Sequence, residues 1–255
     1  MINQVIHGDC LQVMRDIKSE SIDMILCDLP YGTTQCKWDT IIPFDKLWQQ
    51  YKRVIKERGI IVLTATQPFT SALIMSNPDM FKYTWVWNKV KPTGHLNAKK
   101  QPLRLYEDVV VFYKKHGTYN PIMTPYKKTR VNKPRTTIYE GDGTQVYGTY
   151  MDNGGTFKEY YPNQEIKISN ANQRGKLHPT QKPVELFEYL IKTYTNPGDL
   201  VLDNCIGSGT TAVACINTKR NFIGIELDEE YYKICLDRIS KTPRNLSQFR
   251  QKDDI

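Results

Sequence analysis

The chain of 255 residues is long enough to bury a sizeable core, as one domain with an insertion or as two small domains. Its formal charge of +8 and pI near 9.0 fit a polyanionic partner or simply a basic surface. The cysteines Cys10, Cys27, Cys36, Cys205, Cys215 and Cys235 show no C-x-x-C pairing, and His7, His95, His116 and His178 are scattered, which argues against a disulfide framework and against a metal site. The first residues hold no basic stretch followed by an apolar core, and no apolar run could span a bilayer, so a cytoplasmic protein with reduced thiols and no membrane contact is expected.

In chain order, residues 5–9 read as a short strand ending in Asp9, which is a candidate N-cap for a helix through Leu11, Val13, Met14 and Ile17. Residues 22–27 form an apolar run, a buried strand that delivers Asp28-Leu29-Pro30-Tyr31 at its tip. Residues 32–39 lack periodicity and read as a loop over that tip. Phe44, Leu47, Trp48, Tyr51, Val54 and Ile55 recur at helical spacing and belong to a core face, and Gly59 opens an apolar strand over 60–63. A helix over 67–77 and an alternating strand over 83–87 follow. Residues 88–104 mix Lys89, Lys91, Lys99, Lys100 and Arg104 with Pro92, Gly94 and Pro102, which predicts a mobile basic loop before a buried strand at 109–113.

Residues 116–176 break this pattern: tyrosines sit among lysines, arginines, glycines and prolines, with little apolar periodicity. Eleven bases against five acids between Lys114 and Lys176 place six of the eight units of net charge in this quarter of the chain. Basic residues interleaved with aromatics suit phosphate contacts and base stacking. Pro183 then opens a helix through Val184, Leu186, Phe187, Leu190 and Ile191. The apolar run 200–202 ends in Asp203 and leads through Asn204-Cys205-Ile206-Gly207-Ser208-Gly209-Thr210-Thr211 into a helical pattern. A further strand over 221–225 ends in Glu226, a last helix covers about 228–239, and a polar tail follows.

Strand, glycine loop, helix is an arrangement with physical content. Gly207 and Gly209 let a ligand approach the backbone, the free N–H groups of the helix face it, and an acid at the tip of the next strand suits ribose hydroxyls. A nucleoside-containing ligand follows. Gly207-x-Gly209-x-x-Ala212 also fits a loose dinucleotide fingerprint, whereas no G-x-x-x-x-G-K-S/T sequence supports a nucleotide triphosphate.

Asp28-Leu29-Pro30-Tyr31 together with Asp203-x-x-x-Gly207-x-Gly209 resembles the amino-methylating DNA methyltransferases, whose motif is Asp/Asn/Ser-Pro-Pro-Tyr/Phe/Trp; Leu29 replaces the first proline. His178-Pro179-Thr180-Gln181-Lys182-Pro183 resembles the segment that precedes the cofactor strand, and the order of motifs resembles the permuted β-type arrangement. The resemblance covers residues 1–115 and 176–240. It implies an α/β, Rossmann-like methyltransferase fold, a mostly parallel sheet with helices on both faces. It also implies a catalytic domain over 1–115 and 177–241, a basic target-recognition insertion over 116–176 and a polar tail over 242–255.

By resemblance Asp28, Leu29, Pro30 and Tyr31 are catalytic. S-adenosylmethionine, with no metal, falls to Asp9, His178, Thr180, Lys182, Asp203, Asn204, Gly207, Ser208, Gly209, Thr210, Thr211 and Glu226. For Lys182 an exposed charge flanking a helix is the competing reading. The implied substrate is double-stranded DNA, bound by a monomer or homodimer in a restriction-modification setting. Asp28 favours adenine-N6, with cytosine-N4 as the alternative, since cytosine enzymes more often carry serine there; carbon-5 methylation would want a Pro-Cys dipeptide, which is absent. Two rivals remain on the residues alone: an NAD-dependent small-molecule oxidoreductase, and a DNA-binding protein that kept the fold without catalysis.

Overall fold

The computed structural model describes residues 2–32, 39–137, 150–170 and 181–243. In chain order the elements are β1 (Gln4–His7), α1 (Cys10–Val13), β2 (Ile22–Asp28), α2 (Phe44–Val54), β3 (Ile55–Ala65), α3 (Phe69–Met75), β4 (Phe81–Thr93) and β5 (Arg104–Tyr113). They continue with β6 (Thr124–Asn132), β7 (Arg135–Thr137), β8 (Tyr150–Asp152), β9 (Gly155–Tyr160), β10 (Glu165–Lys167), α4 (Val184–Tyr194), β11 (Leu200–Asp203), α5 (Thr210–Thr218), β12 (Asn221–Glu226) and α6 (Glu229–Ser240). The chain forms two compact units, one of residues 1–120 with 164–255 and one of residues 121–163.

The larger unit is built on an eight-stranded sheet in the order β1-β12-β11-β2-β3-β5-β4-β10. Neighbours from β1 to β3 are parallel, β5 runs antiparallel to β3 and β4, and β10 is parallel to β4. Successive strand residues point to opposite faces, so the apolar runs feed two cores at once. Met24, Leu26, Val62, Val109 and Val201 pack beneath α4, α5 and α6, while Ile25, Cys27, Leu63, Val110 and Leu202 pack beneath α2 and α3. The expected mostly parallel α/β sheet with helices on both faces is the one observed.

Local departures from the sequence reading have physical causes. The first helix is a single turn, Cys10–Val13, that tightens into a 3-10 turn at Met14–Asp16. The stretch expected as a mobile loop is strand in its first part: β4 runs on to Thr93, with a register shift between Asn88 and Thr93, and a 3-10 turn at His95–Asn97 leads back towards β5 at Arg104. The segment 116–176 is also narrower as an insertion. Asn120 is tied to α4 through its N–H to the Thr193 carbonyl (2.7 Å), and beyond residue 163 the strand β10 pairs with β4, with Ile168 and Asn170 continuing the ladder.

The smaller unit holds two antiparallel pairs, β6 with β9 and β7 with β8. Its β6 and β9 side chains are almost all exposed, and Tyr126 and Tyr160 pack ring to ring at 5.0 Å.

Asp203, the last residue of β11, is buried at 3% exposure; it accepts from the Cys205 N–H (3.1 Å) and from the Thr211 hydroxyl. Burial dominates those bonds and pushes the carboxyl up to about 7. Between about pH 4, where an unfolded aspartate titrates, and about pH 7, the folded chain holds a proton that the unfolded chain has released. The destabilising contribution of Asp203 is therefore full above pH 7 and relieved as pH falls towards 4. Asp203→Asn should raise the calorimetric melting temperature relative to wild type more at pH 8 than at pH 5; an equal gap at both values would refute the assignment.

Candidate active site

The parallel pairing of β11 with β2, Val201 with Met24 and Leu202 with Ile25, sets Asp203 and Asp28 at the same edge of the sheet. In open α/β sheets ligands bind at the carboxyl ends of strands, where loops leave a crevice. Here that crevice is a cleft of about 540 Å³, lined by Asp28, Leu29, Pro30 and Tyr31 from one tip and by Asp203, Asn204, Gly207, Ser208, Thr210, Thr211 and Glu226 from the others. Asp9 lines it too, while its Oδ1 caps α1 by accepting from the Gln12 N–H at 3.0 Å, so the bland role and the site position coexist. His178 and Thr180 lie outside the described residues.

The glycine loop is set by contacts on both sides. Gly207, at φ +53°, gives its N–H to Glu226 Oε2 at 2.7 Å, and Glu226 Oε1 accepts from the Asp228 N–H at 2.9 Å. The carboxylate keeps acceptor capacity for a further donor, which suits a ribose hydroxyl. Burial raises the Glu226 carboxyl above its ordinary range despite those bonds. Gly209 serves a different end from the one its motif suggests. At φ +85° it caps α5 away from the cleft, and a Cβ there would stand 2.7 Å from Cys235 Sγ on α6. The loop is braced from behind by Arg238, which donates to the Ser208 carbonyl and the Thr210 hydroxyl (both 3.1 Å), and by Tyr51, whose hydroxyl donates to Asn204 Oδ1 at 2.5 Å.

Asp28 stands at the centre of the second half of the cleft. Its Oδ1 accepts from Tyr31 (2.6 Å), Thr64 and Lys182 (2.8 Å), whereas Oδ2 accepts from Lys182 alone (2.8 Å) among the described residues. Lys182 is only 8% exposed, so the reading of an exposed flanking charge fails. Burial opposes its ammonium, but Asp28 and Glu107 more than offset that and hold Lys182 above the ordinary lysine value. Tyr31 packs its ring on Phe69 at 5.0 Å; burial, with Asp28 beside it, holds its phenol well above the ordinary value, so it serves as a donor.

Two cleft residues escape sequence reasoning. Glu107 faces Lys182 at 3.4 Å through Oε2 and Lys89 at 3.2 Å through Oε1, and Lys89, 3% exposed, also donates to Thr93 at 3.0 Å. The result is an alternating chain of charges, Asp28, Lys182, Glu107 and Lys89, along one wall. Burial pushes the Cys27 thiol up to about 12, and Cys10 and Cys205, which line the cleft, are raised as well, so none of these three is a ready thiolate.

Known proteins bear on this arrangement. The DNA adenine methyltransferase YhdJ of Escherichia coli is 29% identical over 249 residues, spanning 92% of this chain and 82% of that protein. The Type II methyltransferase M.HpaI of Haemophilus parainfluenzae is 25% identical over 268 residues, 100% of this chain and 78% of that one. Among solved structures, an M1.HpyAVI-SAM complex superposes with a TM-score of 0.63 at 24% identity, covering 92% of this chain and 98% of that one. The cytosine-N4-specific PvuII DNA methyltransferase gives 0.65 at 17%, covering 99% and 88%; both likenesses concern the fold. The sequence model of the DNA methylase family, which spans N6 and N4 enzymes, matches residues 22–237, and with Asp28-Leu29-Pro30-Tyr31 ahead of the glycine loop the chain belongs to that family in its permuted β-type order.

Proposed function

We propose that this protein transfers a methyl group from S-adenosylmethionine to the N6 amino group of adenine at a specific site in double-stranded DNA. One observation carries the reading: Asp28-Leu29-Pro30-Tyr31 and the loop of Gly207 line the same cleft, from strands that pair directly, in a chain of the DNA methylase family. That membership sets aside the oxidoreductase reading.

S-adenosylmethionine supplies an electrophilic methyl on a sulfonium. The residues fit it: Glu226 keeps acceptor capacity for a ribose hydroxyl, the Gly207 loop admits a close approach, and Asp203 offers a buried carboxylate near the amino acid end. An exocyclic amine is a poor nucleophile because its lone pair is delocalised into the ring. Acceptors placed on its two N–H groups draw the nitrogen towards tetrahedral geometry and free that lone pair. Asp28 Oδ2, which among the described residues has one partner where Oδ1 has three, has capacity for one N–H, and the backbone carbonyl of Leu29 or Pro30 takes the other. Lys182 and Thr64 fix the carboxylate's orientation, and Tyr31 offers its ring to an extruded base, since the amine is out of reach inside a duplex. We assign target reading to the unit of residues 121–163, whose exposed Lys127, Lys128 and Arg130 accompany paired tyrosines.

Adenine is favoured by the aspartate at position 28 and by the adenine activity in the name of the relative YhdJ. Sequencing of modified bases in DNA from cells expressing the protein tests this directly: N6-methyladenine at a recurrent site is expected, and N4-methylcytosine in its place would move the assignment to the alternative base. Asp28→Ala should reduce transfer at least a thousandfold while calorimetry finds S-adenosylmethionine affinity within about threefold of wild type. Lys182→Met leaves Asp28 and Glu107 without their shared partner and should lower stability in urea by about 3 kcal/mol or more. Adding Glu107→Gln should recover part of that loss, and strictly additive effects would break the proposed coupling.

A further inference from the structure

We infer that the tip of the β4–β5 hairpin is a wedge for duplex DNA, with Leu96 entering the base stack beside the extruded nucleotide and the surrounding cations on the flanking phosphates. The inference rests on the DNA reading above and adds to it a surface outside the cleft and outside the 121–163 unit.

Four observations converge on the tip. First, position: Thr93 and Arg104 pair across the hairpin and both line the cleft, so residues 94–103 form the tip of a hairpin whose arms reach the cleft. Second, charge: residues 90–106 carry Lys91, Lys99, Lys100 and Arg104 and no acid at all, and all four are exposed. Third, an apolar group with nothing to cover it: Leu96 is 102% exposed, with Val90 at 45% and Tyr106 at 53% on the arms of the same hairpin. A single exposed leucine is ordinary on a protein surface; one at the apex of a cationic hairpin beside the cleft, between two further exposed apolar residues, is not explained by packing. Fourth, order: Asn97 N–H to the Gly94 carbonyl (3.0 Å), Ala98 to His95 (3.1 Å) and Lys100 to Asn97 (2.8 Å) hold Leu96 on a closed turn, with Gly94 at φ +89° starting it. An apolar side chain presented on a rigid, positively charged turn matches the demands of intercalation. Phosphates are neutralised on either side, and the unstacking of one base step, a few kcal/mol, is offset by filling the gap with an aliphatic group.

The test uses the full chain, S-adenosylmethionine with a tritiated methyl group, and duplex genomic DNA from a methylation-deficient bacterial strain. Leu96→Ala should lower kcat at least tenfold with the KM for DNA changed less than threefold, and Leu96→Met should recover most of the lost rate. Lys99→Gln with Lys100→Gln should instead raise the KM for DNA and make the salt dependence of binding shallower by about two in log–log slope. Urea midpoints and S-adenosylmethionine affinity should match wild type in all three. An unchanged kcat for Leu96→Ala, whatever its KM, overturns the wedge, as does a change from dimer to monomer in sedimentation equilibrium, which would make the tip a contact between copies. Absence of methyl transfer by the wild-type protein would strike the underlying DNA reading instead, so the two failures are distinct.

Discussion

A short parallel pairing governs this molecule. Where β11 lies against β2, two strand tips 175 residues apart in sequence end side by side, each in a carboxylate, and every other feature of the cleft is disposed around them. Alternation along the same strands sends their apolar side chains into two separate cores, so the edge that carries chemistry is held by packing on both faces. The rigidity that a methyl transfer needs is thus inherited from burial, and the loops add donors and acceptors to a frame that is already fixed.

The wall of alternating charge has a different logic. Asp28, Lys182, Glu107 and Lys89 are all largely withdrawn from water, and such groups seldom add net stability, because desolvation consumes what mutual attraction returns. Their value lies in direction. Lys182 spans both oxygens of Asp28 at 2.8 Å and leaves one of them with room for another donor, which fixes where an incoming N–H must point. Glu107 and Lys89 then hold Lys182 in place from behind.

How much of this the sequence disclosed depends on strand polarity. Asp28, Asp203 and Glu226 were legible because each closes an apolar run, and a run that ends in an acid marks a parallel strand's carboxyl tip. Glu107 was hidden because β5 is reversed: its cleft end is its beginning, where the pattern is not yet apolar. Lys89 was hidden inside a stretch whose prolines, glycine and lysines imitate a loop, although alternation along β4 turns it inward. The return of the chain at β10 could not be seen either, since three residues are too few for a period. Gly209 was legible as a special glycine, but its purpose, clearance for Cys235 across the helix pair, depends on a neighbour that only the fold supplies.

The strand order also bears on how the molecule is made. β12 and β11 lie between β1 and β2, so β1 and β2 emerge during synthesis with a two-strand gap between them that is closed only when residues 200–226 follow. Long-range pairing of this kind raises contact order and slows folding. Until about residue 226 has been added, β1 has no partner in the sheet, and the nascent chain has nowhere to seat a methyl donor, however completely β2 to β5 have formed.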